Sequence, residues 1–355
     1  MARIGVNALY LIPGGVGGTE IYLRQLLQAL ASFDASNEYF VFTNLETGVD
    51  LVPRQANFHW KPQALRARFR PARIWWEQIV LPIEASRYRL DVLFNPGFTA
   101  PILAPCPCVT VFHDLQHLRH PEHFRWFDLP FWKLLLWASA RRSRQLIAVS
   151  EATRADLLRF YRLEAMRVRV IHHGVDPAFF SLTRQRGESY VLCVSTLHPH
   201  KNLDRLIRAY ARSKRDFRLV LAGMRGFDSA SLEALIATLG VADSVRLTGW
   251  VPREELYRLY QGARAFVYPS TFEGFGMPVL EALAAGIPVA CSDIPPLREV
   301  AGEAALFFDP LDENDIERAL ERIVRDETLG QAGPGRARQF TWQRAAEQTL
   351  QILVT

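Results

Sequence analysis

The chain has 355 residues, 49% of them hydrophobic and 22% charged, which excludes wholesale disorder and a fibrous repeat and, at ~100–200 residues per domain, predicts two domains. Four cysteines are too few for a disulfide scaffold, and Cys106 and Cys108 flank Pro107 with no second pair to complete a zinc site, so a reducing compartment is expected. The net charge of +5 is uneven: residues 1–175 carry 21 Lys and Arg against 14 Asp and Glu, which points that half toward phosphates, acidic lipid or nucleic acid.

Residues 4–9 predict a strand, without the apolar run and cleavage site of an export signal. Residues 20–31 place Ile21, Leu23, Leu26, Leu27 and Leu30 at helical spacing. Strands are expected at 39–43, 92–95, 109–112, 145–149 and 168–172, and helices at 74–85 and 151–160, the second capped by Ser150. No stretch reaches the ~20 apolar residues of a bilayer span; residues 129–138 come closest and carry Lys133. After Asp176 and Pro177 the pattern restarts. Strands are expected at 190–194, 218–222, 245–248, 265–268, 287–290 and 305–307, and helices at 203–212, 232–239, 254–262, 278–285, 296–300, 313–325 and 345–352. Strands alternating with helices predict an α/β protein with parallel sheets covered on both faces. Two such series predict two Rossmann-like, doubly wound domains facing across a cleft, with the working site outside the carboxyl ends of the strands.

Residues 268–289 run strand, glycine-containing loop, helix, glycine stop, strand. Gly274 and Gly276 let the backbone approach a ligand, and the N–H pole of the 278–285 helix suits a phosphate. Glu281 is expected in the first turn of that helix and Glu273 on the loop before it, so the two carboxylates could grip hydroxyls along one elongated ligand. The plain alternative is that Glu281 complements the helix dipole and Glu273 is solvated. Lys201, one of four lysines among 42 basic residues, follows the strand at 190–194; on position alone it reads as a solvated loop lysine. Residues 13–20 form a glycine-rich turn opening a helix, but no acidic residue closes the strand at 39–43, which weakens a nicotinamide-cofactor reading. His113 and Asp114 end the strand at 109–112, either in the site or as a structural pair. His198 and His200 lack nearby carboxylate or cysteine partners for a metal.

The segment from Glu273 to Glu281 closely resembles the Glu-x7-Glu motif of glycosyltransferase family 4, retaining enzymes of the GT-B fold. The resemblance implies that Glu281 binds the ribose hydroxyls of a sugar nucleotide and that Glu273 contacts the transferred sugar. The amides of Phe275, Gly276 and Met277 would face sugar and diphosphate. Residues 190–203 match the strand and loop that carry the family's phosphate-binding lysine, Lys201. Many relatives carry Arg where this chain has Thr196; the form with Thr and a basic residue ahead of the lysine, here His200, belongs to a polysaccharide-assembly branch, and His200 or Arg225 would replace the missing charge. Gly17 and Gly18 would approach the donor's phosphates, His113 would lie close to the donor sugar, and the backbone near Val251 would contact the base. Residues 340–342 resemble the approach to a C-terminal helix that crosses back to the first domain. The implied division is an acceptor-side domain at 1–176, a donor-binding domain at 177–340 and the returning helix at 341–355.

The expected activity is therefore metal-independent, retaining hexosyl transfer from a nucleotide-diphosphate sugar, GDP-mannose ahead of UDP-sugars, to a saccharide or lipid-linked saccharide acceptor in surface polysaccharide biosynthesis. No cofactor is expected, since the nucleotide sugar is a substrate, and no Asp-x-Asp triplet is present to hold a metal. A sugar-nucleotide epimerase of the same architecture is the rival enzyme, and a lipid-binding module without catalysis is the non-enzymatic rival. Arg66, Arg68, Arg70 and Arg73 precede Trp75 and Trp76, and a second run combines Trp126, Phe131, Trp132 and Trp137 with Arg141 and Arg142. These clusters predict either contact with an anionic membrane, placing a cytoplasmic protein on the inner membrane face, or helices packed on the sheet with their arginines in solvent. No nucleic-acid recognition motif accompanies the charge.

Overall fold

The computed structural model describes residues 1–15, 17–185, 189–214, 216–224, 226 and 229–355, divided between two compact units, 1–174 with 342–355 and 175–341. The first unit is built on seven strands: β1 (Arg3–Asn7), β2 (Glu38–Thr43), β3 (Phe58–Pro62), β4 (Val92–Asn95), β5 (Cys108–Phe112), β6 (Gln145–Ala148) and β7 (Val168–Val170). They pair in parallel in the order β3-β2-β1-β4-β5-β6-β7. The order reverses between β1 and β4, where a doubly wound sheet opens a crevice at its carboxyl edge. Asn7 and Asn95 end those two strands, both buried, with Asn7 Nδ2 donating to Asn95 Oδ1 at 3.2 Å.

Helices α1 (Gly18–Phe33), α2 (Arg70–Trp75), α3 (Leu81–Arg87), α4 (Gln116–Arg119), α5 (Leu129–Arg142) and α6 (Glu151–Tyr161) cover the sheet. Ser150 caps α6 as expected, its Oγ accepting from the Thr153 amide at 3.1 Å. The helix expected over 74–85 is interrupted by a π turn at Trp76–Val80. Pro82 lacks an N–H and would clash with the carbonyl four residues back, so widening the preceding turn lets the helical path continue. Strand β3 was not anticipated: it is an edge strand in which only Phe58 is fully buried, so it carries little hydrophobic signal.

The second unit has six parallel strands: β8 (Tyr190–Val194), β9 (Arg218–Ala222), β10 (Val245–Gly249), β11 (Ala265–Tyr268), β12 (Val289–Ser292) and β13 (Leu306–Phe308), in the order β10-β9-β8-β11-β12-β13. Its helices are α7 (Leu203–Arg212), α8 (Ser229–Thr238), α9 (Arg253–Gly262), α10 (Met277–Ala284), α11 (Pro295–Ala301), α12 (Glu313–Ile323) and α13 (Gly333–Ala337). The order reverses between β8 and β11, whose following loops carry Lys201 and Glu273. Strands β8 and β11 are almost wholly buried, which is why they read as continuous apolar runs.

The last helix, α14 (Trp342–Val354), belongs to the first unit. It buries Trp342, Ala345, Ala346, Thr349 and Leu353 and packs on α1, with the Trp342 and Tyr22 rings 6.0 Å apart. Among the described residues, no helix is long and apolar enough to cross a membrane.

Candidate active site

In the second unit the site grows from the carboxyl ends of β8 and β11. After β8 the chain turns through Thr196 and a single helical turn, Pro199–Lys201, to Asn202 in the left-handed region. Asn202 is buried, and its Nδ2 donates to the carbonyls of Pro269 at 3.0 Å and Pro310 at 2.7 Å. The His200 carbonyl accepts from Thr271 N at 2.8 Å and Ser270 Oγ at 3.0 Å. These bonds tie the β8 loop to the β11 loop and fix Lys201 beside Glu273. Lys201 Nζ lies 2.6 Å from Glu273 Oε1, with both side chains largely buried at 13% and 11% exposure. The same ammonium donates to Tyr268 Oη at 3.2 Å. An ammonium has three N–H donors, so one remains for a further acceptor.

Helix α10 starts one residue earlier than its sequence suggested. Gly276 is its N-cap, with φ +109°. A side chain there would be strained by the backbone and would also meet Leu297 Cδ2 at 2.4 Å. The helix ladder begins with Val279 N and Leu280 N on the Gly276 carbonyl, leaving the amides of Gly276 and Met277 outside it at the positive pole. Phe275 is buried edge-on against Phe340, with ring centroids 5.9 Å apart. Glu281, expected in the first turn, sits past it, because the first turn is Met277–Leu280 and holds no acidic residue. It therefore does little to complement the dipole. Burial pushes its carboxyl up to about 7, against a lowering hydrogen bond from Tyr260 Oη to Oε2 at 3.0 Å. A buried carboxylate held this way can accept from hydroxyls, while the amides at the start of α10 and the Lys201 ammonium suit a phosphate.

Thr196 and His200 line the β8 loop, with the His198 and His200 rings stacked 6.0 Å apart. Val251 lies half-buried between β10 and α9. Arg225 is outside the described residues. In the first unit, Gly17 caps α1 at φ +57° with open space where a side chain would point, and Gly18 opens that helix. His113 is buried, and its Nε2 donates to the Pro96 carbonyl at 2.9 Å; the Asp114 carboxylate instead accepts from the Gln116 amide at 2.9 Å. Burial pushes His113 down to about 4, so it is neutral at physiological pH. Asp114 is thus not what holds His113, as the structural alternative had it; the ring sits in a cluster with Tyr22 at 5.0 Å and His173 at 5.4 Å. Tyr260, Tyr268 and His173 went unread in the sequence, since lone aromatics in apolar runs read as core.

Comparison with known proteins decides the family. Residues 16–179 match the family described as Glycosyltransferase Family 4, and residues 175–339 match Glycosyl transferases group 1. The chain is 30% identical over 282 residues to O-antigen chain mannosyltransferase B of Escherichia coli, covering 74% of each protein. The chain belongs to glycosyltransferase family 4. This is a family of retaining hexosyltransferases, and the chain is an enzyme of it. Two solved structures share the GT-B fold of this glycosyltransferase. Sucrose-phosphate synthase from Thermosynechococcus elongatus has a TM-score of 0.82 at 21% identity, covering 99% of this chain and 98% of the other. The Anabaena protein Alr3699/HepE in complex with UDP-glucose has a TM-score of 0.78 at 18% identity, covering 100% of both.

Proposed function

We propose that the enzyme transfers mannose, with retention, from a nucleotide-diphosphate sugar to a saccharide or lipid-linked saccharide acceptor of a bacterial surface polysaccharide. GDP-mannose is the favoured donor and a UDP-sugar the alternative. The observation that carries the reading is the buried Lys201–Glu273 pair at the carboxyl ends of β8 and β11, followed in the chain by the glycine-capped helix α10 with its buried Glu281. The name of the Escherichia coli relative supports mannose and a surface polysaccharide.

Glu281 takes the ribose hydroxyls and Glu273 the hydroxyls of the transferred sugar. The third proton of Lys201 and the amides of Phe275, Gly276 and Met277 take the diphosphate, with His200 supplying charge where Thr196 replaces the arginine of many relatives. Val251 meets the base through its backbone. Gly17 and Gly18 give close backbone approach to the phosphates, and His113 contacts the donor sugar. The bond from the anomeric carbon to the phosphate oxygen breaks while the acceptor oxygen bonds to that carbon on the same face. The acceptor proton passes to the departing phosphate oxygen, whose charge the lysine and helix pole stabilise. Incubating the protein with GDP-mannose and a mannosyl acceptor, and reading the new linkage by NMR, tests this. An α-linked product is expected; isomerised donor without acceptor would establish the epimerase instead, and no reaction with any sugar nucleotide would overturn the reading.

The acceptor side includes a membrane. The outward face of the first unit carries Trp75, Ile79 and Ile83 at four-residue spacing, and Phe131, Leu134 and Trp137 along α5. Arg142 Nε donates to the Ile102 carbonyl and Gln78 Oε1 accepts from Ile102 N, so the two helical stretches adjoin through one loop. Trp137 is 44% exposed and Trp132 half-buried, so only part of the α5 aromatic set packs on the sheet. Apolar side chains with arginines at both ends suit the headgroup layer of an anionic bilayer, at the cytoplasmic face where nucleotide sugars are found.

A further inference from the structure

The two motif carboxylates are each reached by a buried phenol, and the two phenols belong to one stack of rings. We propose that Tyr260 and Tyr268 are positioning residues, the first holding Glu281 and the second the Lys201–Glu273 pair; this deepens the donor-site reading above and rests on it. Tyr260 comes from α9, and Phe266 and Tyr268 from β11, with exposures of 0%, 0% and 2%. The Tyr260 and Phe266 centroids lie 5.7 Å apart at 14°, and those of Phe266 and Tyr268 6.1 Å apart at 18°. A phenylalanine would fill the same space without the cost of burying a hydroxyl, so each hydroxyl must be spent on a partner. Tyr190, in the same unit, spends its hydroxyl on the Leu259 carbonyl at 2.7 Å. Tyr260 and Tyr268 spend theirs on the site's ionisable side chains: Glu281 Oε2 at 3.0 Å and Lys201 Nζ at 3.2 Å.

The two phenols do different things. Tyr260 donates, and burial beside Glu281 keeps it protonated, so it favours the ionised carboxylate and fixes one oxygen while leaving the other for a ligand. Tyr268 accepts a hydrogen bond from Lys201 and gives its own to Glu273, which holds the ammonium in place against that carboxylate.

The test uses Tyr260→Phe and Tyr268→Phe in the full chain, each keeping the ring. For Tyr260→Phe, the donor KM rises ~10–100-fold with kcat within about threefold, the range for losing a hydrogen bond to a charged group. The acid limb of its kcat/KM profile moves to higher pH. For Tyr268→Phe, kcat falls ~10-fold or more and the donor KM stays within about threefold. Two readouts need no donor: the carboxyl 13C titration of Glu281 moves to higher pH in Tyr260→Phe alone, and the Lys201 ammonium 15N signal broadens by solvent exchange in Tyr268→Phe alone. Unchanged NMR titrations in both variants, or a common loss of melting temperature with kcat and KM falling together, would overturn the proposal. A wild type that transfers no sugar while the NMR shifts appear would refute the donor reading and leave the positioning role standing.

Discussion

Replacing Glu281 by Gln should stabilise the protein at pH 8 and leave it almost unchanged near pH 5. Glu281 is 9% exposed, and burial raises its carboxyl from 4.5 to about 7. At 1.36 kcal/mol per pH unit, keeping it ionised in the fold costs about 3 kcal/mol. The sign follows from proton binding: the folded carboxyl holds its proton more tightly than the unfolded one. Wild-type stability is therefore fully present below 4.5, falls as pH rises to about 7, and is level beyond. Gln cannot ionise and keeps the Tyr260 hydrogen bond within reach, so its stability lacks that fall. The difference between Glu281→Gln and wild type should grow by ~2.5 kcal/mol between pH 5 and pH 8, read by urea unfolding at both pH values. Over the same range nucleotide affinity in the wild type should strengthen, because the ionised form accepts the ribose hydroxyls, while the Gln variant should bind weakly throughout. A pH-independent stability difference, or equal nucleotide affinity in the two proteins, would falsify both the burial argument and the assigned role.

The other predictions concern the ion pair, the histidine and the exposed face. Lys201→Ala leaves the Glu273 carboxylate buried and unpaired, so it should cost ~3–5 kcal/mol in chemical unfolding, and adding Glu273→Ala should restore most of that. Turnover should fall at least 100-fold in both and stay low in the double variant, since stability and phosphate neutralisation are separate losses. His113 has the opposite pH sign to Glu281: its pKa lies near 4 rather than 6.5, so stability is present above 6.5 and drops by ~3 kcal/mol as pH falls to 4. His113→Gln should flatten that limb in unfolding experiments, and an unflattened limb would assign it elsewhere. Ser substitutions at Trp75, Ile79 and Leu134, exposed by 55%, 47% and 63%, should reduce sedimentation with anionic vesicles at least tenfold and leave soluble-acceptor turnover unchanged. Equal sedimentation with neutral vesicles would remove the arginines from the argument.

Much of this protein was legible because its signals are local. The alternation of short β-rich runs with amphipathic segments fixes an α/β chain, and strands such as Tyr190–Val194 and Ala265–Tyr268 have the bounds their hydrophobic runs indicate. The glycine, proline and glutamate spacing around α10 marks a loop that opens a helix, because each of those residues acts on its own backbone. Strand β3 escaped notice because it gains its place from a neighbour across the sheet, whereas the π turn ahead of Pro82 is local but keeps the apolar spacing of the helix it interrupts.

What only the tertiary structure decided is which distant groups meet. Lys201 and Glu273 are 72 positions apart and are joined because β8 and β11 lie side by side at the reversal of strand order. Tyr260 reaches Glu281 because α9 packs beneath the same edge, and that burial, rather than the residue type, sets the carboxyl near 7. His113 answers to Pro96 instead of its neighbour Asp114, and the apolar stripe on α2, α3 and α5 faces outward instead of into the sheet. Periodicity and turn chemistry act within a few residues, so the sequence alone could specify the elements and the kind of chemistry. Desolvation and hydrogen-bond pairing are properties of neighbours in space, and these exist only once the crossovers have ordered the strands.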